Sequence, residues 1–358
     1  MNTLVWIGFS QSLFAAILMF TKKNISLSDR ILSGWLTLLA IDFLSCGVNS
    51  EIFSKPLLIS SFLLFNPALY LYVGSLTRLE FKLRWIQLLH LIPFIFFGTY
   101  TYIIKQPFSL DSFFQKDEHY IFRMFFAAAN IISWLVYNPL SLILVHKHRM
   151  HLRHELSNID RNENLGWVLA VAIFYVVYCI LAVLITIVAY FTGLNPQSPH
   201  IYNYVMLLIL IYIMSFYGLR QKQVSRHLLL SEKNTPYKNS NLSSETKEII
   251  KQKIIFYFEK EKAYLSPDLN MNVLSKSLKI PKYQITEVLN TDIGKSFFNF
   301  VNHYRVEAVK AMLSDPNNKF SIEAIGYECG FSSKSSFYTV FKTITGETPV
   351  SYRNSISG

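Results

Sequence analysis

Seven long apolar stretches follow one another through the first 219 residues of this 358-residue chain. They cover residues 3–20, 31–49, 56–77, 85–104, 122–145, 166–192 and 201–219. A helix needs roughly 20 apolar residues to cross the hydrocarbon layer of a bilayer. In that layer backbone N–H and C=O groups find no water, so a spanning segment must satisfy them internally as a helix or within a closed barrel. Apolar runs of this length predict helices rather than half-buried strands. The expected fold class is therefore all-α, opening with a seven-helix transmembrane bundle over residues 1–219. Asn66-Pro67 interrupts the third stretch, and His90 with Pro93 interrupts the fourth. Proline is tolerated where neighbouring helices satisfy the freed carbonyl. The first stretch lacks a basic leader and a small-residue cleavage site, so it reads as a retained span.

The basic residues give these spans a direction. With the N-terminus outside, the inner loops hold Lys22, Lys23 and Arg30, then Arg78, Lys82 and Arg84, then Lys147, Arg149, Arg153 and Arg161. The tail after the seventh span begins with Arg220, Lys222 and Arg226, whereas the outer loops hold Lys55, Lys105 and Lys116. An excess of positive charge on one side predicts that side to be cytoplasmic. The expected topology is a multi-pass protein of the inner (cytoplasmic) membrane, N-terminus outside and C-terminus in the cytoplasm.

Chemistry inside the spans is sparse. Asp42 is the clear acid at depth, His90 the other titratable group, and Asn66 a polar companion. Intramembrane ionisable groups are functional candidates by default, but polar residues also join helices by hydrogen bonds. Two readings stay open: a structural role for each, or a small-ligand pocket formed by Asp42, Asn66 and His90 and open to the outside. Cys46, Cys179 and Cys329 lie far apart and form no metal-binding spacing. The run HKHRMHLRH at 146–154 has histidines but no carboxylate or thiol to complete a tetrahedral set, so it reads as a basic loop facing anionic headgroups. No metal and no cofactor is expected.

Composition changes at Arg220. Residues 220–244 carry five Lys/Arg against one acid and are rich in Ser and Asn, as in a polar cytoplasmic linker. Residues 245–358 then carry fifteen Lys/Arg against twelve acids, so this part is only mildly basic. Within it a pattern occurs twice. VLSKSLKIPKYQITEVL near Val273 and AIGYECGFSSKSSFYTVF some fifty residues later each read as a short helix, a tight turn and a second helix. Leu274, Ile280, Ile285, Val288 and Leu289 of the first copy answer to Ile325, Phe331, Phe337, Val340 and Phe341 of the second. Between them Ser296–Leu313 predicts a longer helix with Phe297, Phe300, Val301, Tyr304, Ala308 and Met312 inward. Lys247–Lys262 predicts an amphipathic helix capped by Ser244.

With those residues in view, the stretch from about 248 to 355 resembles the DNA-binding domain of the AraC/XylS family of bacterial transcription regulators. GFSSKSSFYTVFK and TGETPVSYR are its most specific part. The resemblance covers about a third of the chain and implies two helix-turn-helix subdomains joined by the long helix, each placing a recognition helix in the major groove. Here a polytopic membrane region stands where the family usually has a soluble effector domain. Position by position, base contacts would fall on Tyr283, Thr286, Glu287, Lys334, Ser335 and Thr339. Gln284 suits an adenine edge and Lys334 a guanine edge, Ser333 completes the outward face, and Lys282 and Lys342 suit phosphates. Glu287 and Thr339 stand where the family often has stronger donors, which points to binding as a homodimer.

The expected function is a membrane-bound, sequence-specific regulator of transcription whose membrane region senses an unknown small-molecule signal. Its partners are double-stranded DNA, the lipid bilayer, a second copy and RNA polymerase. No catalysis is expected, because there is no phosphate-binding glycine loop and no nucleophile beside a base. The alternative is a membrane receptor or transporter whose degenerate helix-turn-helix tail binds a protein rather than DNA.

Overall fold

The computed structural model describes residues 2–53, 62–78, 81–103, 116–159, 164–192, 198–221 and 242–357. The expected linker falls almost wholly outside these, as do Lys55, Lys105, Arg161, Lys222 and Arg226. The described chain is helical throughout, with no strand. It divides into two compact units, residues 1–146 with 165–224, and residues 147–164 with 225–358.

The first unit holds α1 (Asn2–Phe20), α2 (Leu27–Phe53), α3 (Phe62–Thr77), a 3-10 turn at Trp85–Leu91, α4 (Ile92–Ile103), most of α5 (Tyr120–Glu155), α6 (Gly166–Thr192) and α7 (Ser198–Arg220). Among the described residues four helices are long and apolar enough to cross a membrane: Thr3–Phe20, Leu27–Val48, Tyr120–Glu155 and Ile201–Arg220. The described apolar parts at Leu63–Thr77, Trp85–Tyr100 and Gly166–Ala182 are shorter. The fourth expected span is not one helix. Pro93 sits in the first turn of α4, where its missing N–H is harmless, and the chain ahead of it tightens into the 3-10 turn.

This unit packs apolar and aromatic residues inside and leaves apolar residues outside as well. Met19, Leu36, Phe43, Tyr72, Val73, Tyr175 and Met214 are among its core residues. Phe14, Ile17 and Phe20 of α1, Ile131, Ile132 and Leu135 of α5, and Val205, Ile209 and Phe216 of α7 face outward. Large uncovered apolar faces are rare on proteins bathed in water. Close helix approach comes from small residues. A Cβ on Gly8 of α1 would lie 2.1 Å from the Phe43 ring of α2. At one end Lys22 bonds Asp29 at 2.9 Å and also donates to the Gly218 and Gln221 carbonyls, while Trp167 Nε1 donates to the Gln221 side chain.

The second unit contains α8 (Ser244–Lys260), α9 (Met271–Leu278), α10 (Lys282–Thr291), α11 (Phe297–Ser314), α12 (Ile322–Glu328), α13 (Lys334–Thr345) and α14 (Pro349–Ser357). The last turns of α5 and the segment after it, placed in the membrane region by sequence, group with this unit. Side-chain oxygens of Ser243, Asn270, Ser296, Ser321 and Ser333 cap the helices that follow them. The cap of α8 is thus Ser243 rather than Ser244. All ten apolar positions of the doubled pattern are buried. They form two cores, and α11 serves both: Phe297, Phe300 and Val301 in the first, Val306, Val309 and Leu313 in the second. Tyr304, Ala308 and Met312 pack only partly buried at its edges.

Between the two cores α11 buries Arg305 completely. Its guanidinium donates to the carbonyls of Tyr264 (2.8 Å), Ser266 (2.9 Å) and Ser157 (3.1 Å), and to the Ser157 hydroxyl (3.0 Å). It also stands 5.7 Å from the Phe331 ring centre. Loss of water drives its pKa down to about 10, so the group remains a cation at neutral pH.

Gly330 ends the first helix of the second copy at φ +90°, and a Cβ there would lie 2.4 Å from the Tyr264 carbonyl oxygen. Gly346 has φ +86° and open space around it. Gly346→Ala is expected to cost about 1–2 kcal/mol from left-handed strain alone. Gly330→Ala adds a backbone collision and is expected to cost at least about 3 kcal/mol. Urea-dependent proteolysis of the C-terminal unit in the full chain measures both, and equal effects would contradict the packing described.

Candidate DNA interface

Two helix pairs form the candidate interface, α9 with α10 and α12 with α13. In each the connecting turn needs a left-handed residue. The second copy uses Gly330, whereas the first places Lys279 there at φ 56°. Pro281 caps α10 from the extended region and presets its entry. The buried stripe Ile285, Val288, Leu289 leaves the other side of α10 outward, and Phe337, Val340, Phe341 do the same for α13.

On α10, Tyr283 is exposed and its hydroxyl accepts from Gln284 Nε2 at 3.3 Å. Gln284 and Thr286 are half-buried. Lys282 is half-buried too, with its ammonium 3.0 Å from Glu155 Oε2. Glu287 departs from the expectation of an outward side chain. It is 4% exposed, and its carboxylate lies 2.8 Å from Lys247 of α8. The reason is that α8 packs against α10 and covers a face that the helix-turn-helix pair alone leaves open.

On α13, Ser333 is half-buried and turns its hydroxyl to the Ser336 N–H as the helix cap. Lys334, Ser335, Thr339 and Lys342 are exposed. Lys334 lies 2.6 Å from Glu323 of α12, over the Tyr338 ring. The Lys334 ammonium holds the Glu323 carboxyl below the usual range, and Glu323 raises the Lys334 pKa in return.

Two features of this interface were absent from the pattern-based expectation. Arg305 had a visible signal, since it stands four residues from both Val301 and Val309 on the buried side of α11. The segment Glu155–Asn158, more than a hundred residues earlier, gives no local signal of its docking here.

Of the three residues expected to form a membrane pocket, Asn66 and His90 contact the same helix and Asp42 does not join them. Asn66 donates to Ser133 at 3.1 Å and lies beside Asn138, while His90 Nδ1 meets the Tyr137 hydroxyl at 2.6 Å. Both therefore reach one stretch of α5. Asp42 shares no hydrogen-bond partner with them among the described residues, and both its buried carboxylate oxygens have none there. No group of three potential metal ligands occurs among the described residues.

A family model described as "Helix-turn-helix domain" matches residues 274–355. A solved structure titled as a protein of unknown function from Listeria innocua is 26% identical; the match covers 29% of this chain and 95% of that one, with a TM-score of 0.27. Comparison with curated proteins finds no match.

The Lys334–Glu323 pair has a definite pH window. Glu323 has a depressed pKa, so its contribution is complete above the unfolded carboxylate value and fades as pH falls through the folded one. Lys334 has a raised pKa, so its contribution is complete below the unfolded lysine value and fades as pH rises through the folded one. Side-chain NMR of Lys334 is expected to stay constant between about pH 5 and pH 9 and to move at both ends. A midpoint near neutrality would contradict the pairing.

Proposed function

We propose, from the premise that residues 274–355 form an AraC-type helix-turn-helix domain, that this chain is a membrane-anchored, sequence-specific regulator of transcription. The observation that carries the reading is the pairing of two units of opposite character. One carries a DNA-binding domain with two recognition helices. The other has long helices whose outward faces are apolar.

The assignment of α10 and α13 as major-groove readers rests on their position as second helices of their pairs. Tyr283, Gln284, Thr286, Lys334, Ser335 and Thr339 are our candidates for base edges, with Lys282, Ser333 and Lys342 at phosphates. Glu287 is better read as a structural partner of Lys247 than as a reader. The seven-span arrangement, with the N-terminus outside and the DNA-binding domain in the cytoplasm, is supported by the charge asymmetry of the loops and by the need for access to DNA. Residues 1–219 would form the sensing and anchoring region, 220–244 the linker and 245–358 the reader. Asn66 and His90, meeting on α5, and Asp42, whose carboxylate oxygens have no hydrogen-bond partner among the described residues, are our candidates for contact with a small-molecule signal.

The alternative, a membrane receptor whose tail binds a protein, draws on one observation. Lys282, Lys334 and Glu287 are each engaged by an opposite charge within the chain. Mapping of bound DNA across the genome separates the two. The regulator is expected to occupy discrete sites and to sediment with membranes. Lys334→Ala and Gln284→Ala are each expected to cost about 1–3 kcal/mol of discrimination at one base position. Glu287→Gln is expected to lower stability and leave base preference unchanged. A chain without preferred sites in cells would sink the regulator reading in favour of the alternative.

A further inference from the structure

The segment that leaves α5 is docked on the DNA-binding domain, on residues of both helix-turn-helix copies. Leu156 forms an isolated antiparallel bridge with Asn270, the cap of α9. Ser157 is 1% exposed, and its hydroxyl donates to the Leu269 carbonyl. The Ser157 carbonyl accepts from Asn302 Nδ2 at 3.0 Å and from Arg305 at 3.1 Å. Asn158 Nδ2 donates to the Pro267 carbonyl at 2.8 Å and to the Gly330 carbonyl at 3.0 Å. Pro267 and Leu269 lead into the first copy, whereas Gly330 is the turn of the second.

Such a seat fixes the residue just before it. Glu155, the last residue of α5, brings its carboxylate to 3.0 Å from the ammonium of Lys282, the first residue of α10. Both side chains are largely covered, at 14% and 13% exposure. DNA phosphates characteristically meet lysines and the N-terminal ends of recognition helices. An anionic oxygen of the protein therefore stands where an anionic oxygen of DNA would be expected.

We infer that residues 155–158 are an intramolecular latch on the DNA-reading domain, in which the Glu155 carboxylate competes with a DNA phosphate for Lys282. The inference rests on the DNA-binding reading above and adds its regulation. The anchors at Ser157 and Asn158 hold the competing carboxylate at high effective concentration, so the domain reads DNA through its first copy only when this carboxylate yields. The latch is the direct continuation of α5, so a change along that helix has a covalent route to the carboxylate that holds Lys282.

The test uses the full chain in lipid nanodiscs and duplexes recovered by selection from a random-sequence library. Glu155→Gln keeps the size of the side chain and the anchors behind it. It is expected to tighten binding roughly fivefold at 0.1 M salt and to steepen the slope of log affinity against log salt by about 0.9, the signature of one added phosphate contact. In a Lys282→Gln background both effects are expected to vanish. Wild-type affinity and slope in Glu155→Gln, or a gain that persists without Lys282, would overturn the latch while leaving DNA binding intact. Absence of sequence-specific binding in every version, wild type included, would overturn the DNA-binding reading and the latch with it.

Discussion

The arrangement of the DNA-binding domain depends on one buried cation. Removing a guanidinium from water is expensive unless its donors are met. Arg305 meets this condition with no carboxylate among its hydrogen-bond partners: the carbonyls of Tyr264, Ser266 and Ser157 and the Ser157 hydroxyl surround it. A planar fork with donors in fixed directions suits such a cage better than a lysine ammonium on a flexible stem. Because its partners come from separate segments and its face abuts Phe331 of the second copy, the cage sets the two cores against each other. Apolar contact has no preferred direction, and the fixed donors of the guanidinium add one.

The other unit solves a different problem with a different distribution of residues. Its apolar side chains face outward as well as inward, so apolar burial cannot by itself specify how its helices meet. Small residues and polar contacts take over that task. Gly8 admits the Phe43 ring against α1, Lys22 ties the first loop to the end of α7, and Asn66 with Ser133 and Asn138 links α3 to α5. Asp42 fits this logic least well. A buried carboxylate whose two oxygens lack a hydrogen-bond partner among the described residues does nothing evident for packing.

Much of this was legible from residue order alone, and the reasons differ by element. The ten apolar positions of the doubled pattern were readable because each helix-turn-helix buries its own short-range partners at helical spacing. Glu287 was misread because a helical wheel contains only the helix itself. The face it assigned to DNA is covered by α8, which supplies Lys247 as well as the cover. Hydrophobic periodicity assigns a cation such as Arg305 to the surface, although its place between Val301 and Val309 puts it on the buried side of α11. The docking of Glu155–Asn158 was not legible at all, since nothing in those four residues names a partner so distant in sequence. Seven apolar stretches are readable in the sequence, and among the described residues four helices are long and apolar enough to cross a membrane.

Charge bears on how such a domain holds DNA. The candidate recognition helices α10 and α13 offer few cations, and the two nearest the helix starts pair with carboxylates: Lys282 with Glu155 and Lys334 with Glu323. In the proposed contacts a phosphate at Lys282 and a base edge at Lys334 would each have to displace a carboxylate, so the electrostatic gain per contact would be smaller than for a lysine exposed to water. The fifteen basic residues of 245–358 are nearly matched by twelve acids, which limits the non-specific attraction that holds most DNA-binding proteins near the duplex. Weak attraction by one copy favours a low background on random DNA, and it leaves affinity to be supplied by geometry. Two copies confined to one membrane and facing a repeated site would supply it, because the second binding event becomes intramolecular. In the proposed regulator, confinement to a surface and a sparing use of positive charge would be complementary: the first would raise local concentration, and the second would keep that concentration from becoming indiscriminate binding.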